Sequence, residues 1–262
     1  MKSVRVGCVK YVNARPLIRG WQGNVEFDHP SALCRRLAKG QLDVALVSSF
    51  EYLRNPIYRI VDGVSISSDG PVYSVVVAHR GEFSEIEQIE LDPASQTAAN
   101  LLRCLVAELG LTVRLVDAGS VSAEVRGARL IIGDQAIKFR QDYADKFQFW
   151  DLGDQWKKRT GLPFVFALWL IRPEVPDAKS IAQRLRELRN ENLADIDPIV
   201  SGAVADGAEN QPAITKEFLN RYYNEHLRFS FGTREKQGLQ TFADLCAKDR
   251  VLPKRTSEFS LV

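Results

Sequence analysis

The 262-residue chain is poor in the residues that build metal and nucleophile sites, with three histidines, four cysteines and one methionine. His29, His79 and His226 are scattered, and neither an HExxH run nor a Ser-His-Asp arrangement can be assembled from local motifs. Cys8, Cys34, Cys104 and Cys246 form no CxxC pair, so reduced, buried thiols are expected and no metal site is. No apolar stretch reaches the roughly 20 residues of a membrane span. The opening Met1-Lys2-Ser3 leads straight into a strand pattern rather than an export signal, which predicts a cytoplasmic location. Charge of neither sign dominates: 35 Lys and Arg against 33 Asp and Glu leave +2, and no basic run stands out, which argues against a nucleic-acid partner.

What the chain does have is apolar content of 45% with 26% charged residues, more than one small core needs, and this excludes disorder. Short apolar runs alternate with helical patterns over the first ninety or so residues, the mark of an α/β layout with a covered sheet. Strands are predicted at Val4–Val9, Val25–His29 and Val44–Val47, with Pro16 opening a helix and Ser31 capping another that stops at Gly40. Ser48 and Ser49 stand where a strand gives way to a short helix, a place where ligands of open α/β sheets sit. Tyr73–Ala78 reads as a buried strand. From Ile89 the pattern restarts, with Asp92-Pro93-Ala94-Ser95 before a helix whose Ala98, Leu101, Leu102, Leu105 and Leu109 share a face, and a strand ending in Gly133-Asp134.

These segments predict a two-lobed clamshell with mixed sheets and a central cleft. Residues 1–78 with 169–262 would form one lobe and 79–168 the other, joined by two crossing strands near Ser74–Ala78 and Phe164–Ile171. Trp156 and Trp169 read as core aromatics. Apolar spacing on the carboxy-terminal helices fits either pairing as a homodimer or packing on the body, and periodicity leaves both open.

Several motifs in order carry a family resemblance. Tyr11-Val12-Asn13-Ala14-Arg15-Pro16-Leu17 is followed by Gly40-Gln41-Leu42-Asp43-Val44-Ala45-Leu46, Asp69-Gly70-Pro71-Val72-Tyr73-Ser74 and Ile132-Gly133-Asp134-Gln135-Ala136. The longest match is Thr160-Gly161-Leu162-Pro163-Phe164-Val165-Phe166-Ala167-Leu168-Trp169. Together they resemble the chorismate dehydratase family of the futalosine route to menaquinone. A related family of that route, which cleaves a cyclic dehypoxanthine intermediate, opens with a different motif rich in Ser, Pro, Cys and Asn, which this chain lacks. The resemblance implies a type II periplasmic-binding-protein-like fold, chorismate as the small-molecule substrate and a cofactor-free elimination.

The resemblance also nominates residues. Asn13 would hydrogen-bond the substrate near the reacting carbon, and because an amide is no ordinary base near neutral pH, the substrate's enolpyruvyl carboxylate would take the proton. Ser74 would line the cleft, against the alternative of a core serine bonded to backbone. Ser95 and Thr97 would grip a carboxylate at a helix start, where such a charge is stabilised by roughly 0.3 to 1 kcal/mol. Between them stands Gln96, a further substrate-binding candidate, where many relatives carry arginine, so a cationic contact would have to come from Arg15 or another first-lobe cation, Arg15 being itself open to a surface ion pair instead. Ser48 and Asp134 are further substrate-binding candidates, each with helix capping as the alternative. Glu51 is the residual carboxylate for acid help with the departing hydroxyl. From another functional class, a non-catalytic cytoplasmic binding protein for a small carboxylate would use the same clamshell.

Overall fold

In the computed structural model, which describes residues 4–119, 127–208, 214–254 and 258–262, the elements alternate much as the apolar pattern demands. The chain runs through β1 (Val6–Val9), a 3-10 helix (Val12–Leu17), β2 (Val25–Asp28), α1 (Pro30–Ala38), β3 (Val44–Ser48), α2 (Ser49–Arg54) and β4 (Arg59–Ser68). It continues with β5 (Val75–His79), β6 (Gln88–Glu90), α3 (Gln96–Glu108), β7 (Arg114–Val116), β8 (Gly127–Ile132), α4 (Gly133–Asp142), β9 (Gln148–Asp151) and α5 (Leu152–Thr160). It returns through β10 (Phe164–Ile171) to α6 (Ala178–Ala194), α7 (Asp197–Ala208), α8 (Lys216–Arg221), a π-helical turn (Tyr222–His226) and α9 (Thr233–Lys248).

Two five-stranded mixed sheets result, one per lobe. The first has the order β2-β1-β3-β10-β4 and the second β7-β6-β8-β5-β9. β1 pairs parallel with β2 and β3, while β10 runs antiparallel to β3 and β4. β1 and β3 are buried along their whole length, which is why they read as unbroken apolar runs rather than as an alternation.

Three expectations need correction. The division at 78/79 and 168/169 places Val75–Ala78 with the first lobe and Phe164–Leu168 with the second, yet β5 pairs only in the second sheet and β10 only in the first. Neither strand crosses between the sheets: a strand split between them would leave backbone donors and acceptors unpaired in a buried region. Helix α1 opens with Pro30 at its first turn and His29 at the N-cap, so Ser31 does not cap it. Pro16 lies inside the 3-10 helix instead of opening an α-helix.

The core residues behave as read. Trp156 and Trp169 are fully buried, and the Trp156 indole donates to the Pro163 carbonyl at 3.1 Å. All four cysteines are buried and free, with Cys104 of α3 and Cys246 of α9 packed sulfur to sulfur at 3.7 Å. Among the described residues no helix is long and apolar enough to cross a membrane.

Asp151 fixes one passage between the sheets. As N-cap of α5 it accepts from Gly153 and Asp154 N–H at 3.0 and 3.2 Å, and it also accepts from Val72 and Tyr73 N–H at 3.0 and 2.8 Å. Tyr73 adopts φ of 68°, a left-handed conformation rare for a bulky residue, and is held there by that bond and by Arg140 stacked over its ring at 4.2 Å. The strain sits immediately before Ser74. Asp151→Ala removes a cap and strands two buried N–H groups of the linker, and should cost about 3 kcal/mol in denaturant unfolding.

Candidate active site

Where the lobes face each other, a cavity of about 60 Å³ is enclosed by the ends of β1 and β3, the starts of α3 and α4, and β10. Its polar lining comes from Asn13, Ser48, Ser95 and Thr97; Tyr11 and apolar side chains such as Ile66, Val75 and Phe166 supply the rest. No described lining residue carries a charge at neutral pH.

Ser48 and Thr97 close one wall from opposite lobes. Their hydroxyls are hydrogen-bonded to each other, and Thr97 Oγ1 also accepts the Phe50 N–H at 3.2 Å. Ser48 stands at the N-cap position of α2 but makes no capping bond, so the capping alternative fails for it. Ser49 donates to the Val165 carbonyl at 2.6 Å and lies 3.4 Å from Thr97 Oγ1. Ser95 is the N-cap of α3 and accepts from Ala98 N–H at 3.1 Å. That leaves other first-turn N–H groups of a 13-residue helix directed at the cleft, a place that favours a carboxylate. Gln96 does not line the cavity; its side-chain oxygen is buried without a partner among the described residues.

Asn13 sits in the 3-10 helix with its amide oxygen buried and unpartnered. The backbone of its neighbour Val12 is clamped at both ends. The Val12 carbonyl accepts from the Tyr223 hydroxyl at 2.8 Å, and its N–H donates to the Asp134 carboxylate at 3.1 and 3.3 Å. Tyr222 donates to Ser74 Oγ at 2.6 Å. Burial pushes the Tyr222 phenol far above its usual range, opposed by hydrogen bonding with Ser74 and Asn13, so it stays neutral. A π-helical turn brings these two consecutive tyrosines inward together, as such turns do at functional sites.

Other candidates stand elsewhere. Ser74 is buried and does not line the cavity; its hydroxyl accepts from Tyr222, which is hydrogen-bonded also to Asn13. Asp134 does not cap α4, whose N-cap is Ile132; its carboxylate crosses to the other lobe instead. Arg15 pairs with Asp206 at 2.9 Å and lines a separate outer cavity of about 520 Å³. Glu51 is buried in an ion pair with Arg54 and is not part of the lining. Sequence reasoning misses Tyr222 and Tyr223, whose only signal is an adjacent aromatic pair in a helical pattern. It also misses the packing of Tyr11 on Gly133: that glycine has φ of 62°, and a Cβ there would lie 2.9 Å from the Tyr11 ring.

The sequence pattern of the menaquinone biosynthesis family matches residues 4–248. The chain belongs to that family. It is similar to a chorismate dehydratase of Thermus thermophilus, 29% identical across 93% of this chain and 95% of the relative. It is similar also to a chorismate dehydratase of Campylobacter jejuni, 26% identical across 90% of each. Among solved structures, a protein from Archaeoglobus fulgidus superposes with a TM-score of 0.74 at 19% identity, covering 95% of this chain and 98% of that one. The alkanesulfonate-binding protein SsuA from Xanthomonas axonopodis pv. citri gives 0.68 at 16% identity, covering 97% and 95%. These likenesses bear out the two-lobed, periplasmic-binding-protein-like fold of this family member.

Asp134 yields a pH prediction. Burial raises its carboxyl to about 6, against the pull of the Val12 N–H and of Arg15. A folded-state value above the unfolded one means the folded protein takes up the proton first, so ionised Asp134 costs stability above about pH 6. That cost is relieved as pH falls from 6 toward 4, by about 3 kcal/mol for the whole shift. Asp134→Asn should abolish this gain on acidification, read as a flatter difference between pH 7 and pH 4.5 in paired denaturant melts.

Proposed function

We propose that the protein is a chorismate dehydratase, a hydro-lyase converting chorismate to 3-[(1-carboxyvinyl)oxy]benzoate and water in the cytoplasm. The observation that carries the reading is the buried, unpartnered amide oxygen of Asn13 in a cavity without charge. A buried acceptor left open costs free energy unless a ligand supplies a donor. The chorismate dianion offers one donor, the ring hydroxyl that departs in the dehydration. Asn13 bonded to it would orient the C–O bond, and the amide N–H not engaged with Tyr222 would hold the enolpyruvyl carboxylate.

The charge-free lining supports the same chemistry. A carboxylate desolvated without a neighbouring cation becomes more basic, so the carboxylate that takes the proton gains from a cavity without charge, while hydroxyls and helix N–H groups would hold the other one. The enolpyruvyl carboxylate would take the ring proton from the carbon adjacent to the one bearing the hydroxyl, the C–H electron pair would form the new ring double bond as the C–O bond breaks, and the carboxylic acid so formed would return that proton to the departing hydroxyl, which leaves as water. Carbon undergoes no net redox change, and aromaticity drives the step. Ser48, Ser95 and Thr97 would grip the ring carboxylate at the start of α3. Small-molecule sites span roughly 300 to 1,000 Å³; at about 60 Å³ the cavity describes closed lobes, and the substrate would be admitted by parting the Ser48–Thr97 seam.

Incubation of the purified protein with chorismate should give an ultraviolet-absorbing benzoate product. Asn13→Ala and Asn13→Asp should each lower kcat by about 10² to 10³. Chorismate bound but left unchanged by the wild type would sink the reading, and near-normal turnover in the variants would remove Asn13 from it.

A further inference from the structure

The outer cavity of about 520 Å³ shares only Val9 and Tyr11 with the Asn13 cavity and opens between β1, the 3-10 helix and α7. Its size falls within the range of small-molecule sites as the inner cavity does not. The lining is mostly apolar, with Ile18, Ile199 and the ring of Phe27, which is 48% exposed, a large fraction for a phenylalanine on a strand. Around this floor stand Lys10, Arg15 and Arg19, three positive charges against the single carboxylate of Asp206. Asp206 is engaged by Arg15 at 2.9 Å, whereas Lys10 and Arg19 have no acidic partner among the described residues. Gly202, in the middle of α7, completes the floor, and a Cβ there would lie 3.9 Å from an Arg15 guanidinium nitrogen. A mid-helix glycine weakens a helix by roughly 0.5 to 1 kcal/mol relative to alanine, and here it keeps the cavity open.

We propose that this outer cavity is a binding site for an aromatic carboxylate, distinct from the Asn13 cavity, with the ring against Phe27 and the carboxylate paired to Lys10 and Arg19. An apolar floor alone would take a neutral ring, and surface cations alone would take any anion; the two together select a flat apolar body with one acidic end. Tyr11 is the wall between the two sites, so the occupant lies beside the substrate without entering its cavity.

The test is isothermal titration calorimetry of the full chain with 2-naphthoate and with its neutral analogue 2-naphthalenemethanol. The expected result is one molecule of 2-naphthoate bound per chain. The double substitution Lys10→Gln, Arg19→Gln should weaken it by about tenfold or more, equivalent to about 1.4 kcal/mol, while hardly moving the alcohol. Gly202→Leu, which fills the floor with a better helix former, should abolish binding of both with helix content by circular dichroism unchanged. Asn13→Ala should leave 2-naphthoate binding intact. The proposal is overturned if the wild type gives no binding heat at millimolar 2-naphthoate, if the double variant binds as tightly as the wild type, or if Asn13→Ala removes binding, which would move the ligand into the inner cavity. Should Gly202→Leu fail to fold, the double variant, on two solvent-facing residues, decides alone.

Discussion

Polar groups buried between two lobes with no full charge on the cavity wall are the condition on which this structure rests. A hydroxyl or amide taken from water without a partner costs roughly 2 to 7 kcal/mol, so a seam of such groups holds only if each finds another. Ser48 finds Thr97, Tyr222 finds Ser74, Tyr223 finds the Val12 carbonyl and the Val12 N–H finds Asp134. Ser48–Thr97 and Val12–Asp134 join residues of the two different lobes, so the lobes are registered against each other by groups that also shape the cavity or stand behind it. Asn13 is the lining residue whose acceptor the network leaves open.

The layout was legible because it follows from local rules. Apolar runs marked β1, β3 and β10, Gly40 marked the end of α1, and the Ser48 and Ser95 loops fell at the strand-to-helix junctions where ligands are held. The lobe boundary was not legible, because Val75–Ala78 and Phe164–Leu168 are apolar whichever sheet they join, and only hydrogen-bond partners decide. Asp134 misled for a related reason. Its position at a helix start predicts a cap, while its actual partner lies 122 residues away. The tyrosines escaped notice because a 3.6-residue period turns one of two neighbours outward, and the π-helical turn breaks that period.

Resemblance and geometry contributed different things. The resemblance nominated Asn13, Ser95 and Thr97, position at a strand-to-helix junction nominated Ser48, and the cavity brings those four together. The resemblance also nominated Arg15, but the ion pair with Asp206 and the outer cavity account for that side chain. Gln96 is uncharged and Arg15 does not reach the lining, which makes the absence of charge a property of the whole described cavity wall.

That absence extends to the groups just behind the wall. Burial together with Asp92 and Asp134 pushes the Tyr11 phenol up to about 12, so it stays a neutral donor across the physiological range. Asp134 holds the backbone N–H of Val12, next to Asn13, and burial has already brought it to about 6, near the point at which it gives up its charge. A dianion entering the cavity repels that charge and favours the protonated form further. By linkage, protonation of Asp134 favours the dianion in equal measure. The carboxylate that registers the lobes is therefore one that can be neutralised in response to a negatively charged ligand, and the seam can accommodate such a ligand without a permanent cation on the cavity wall.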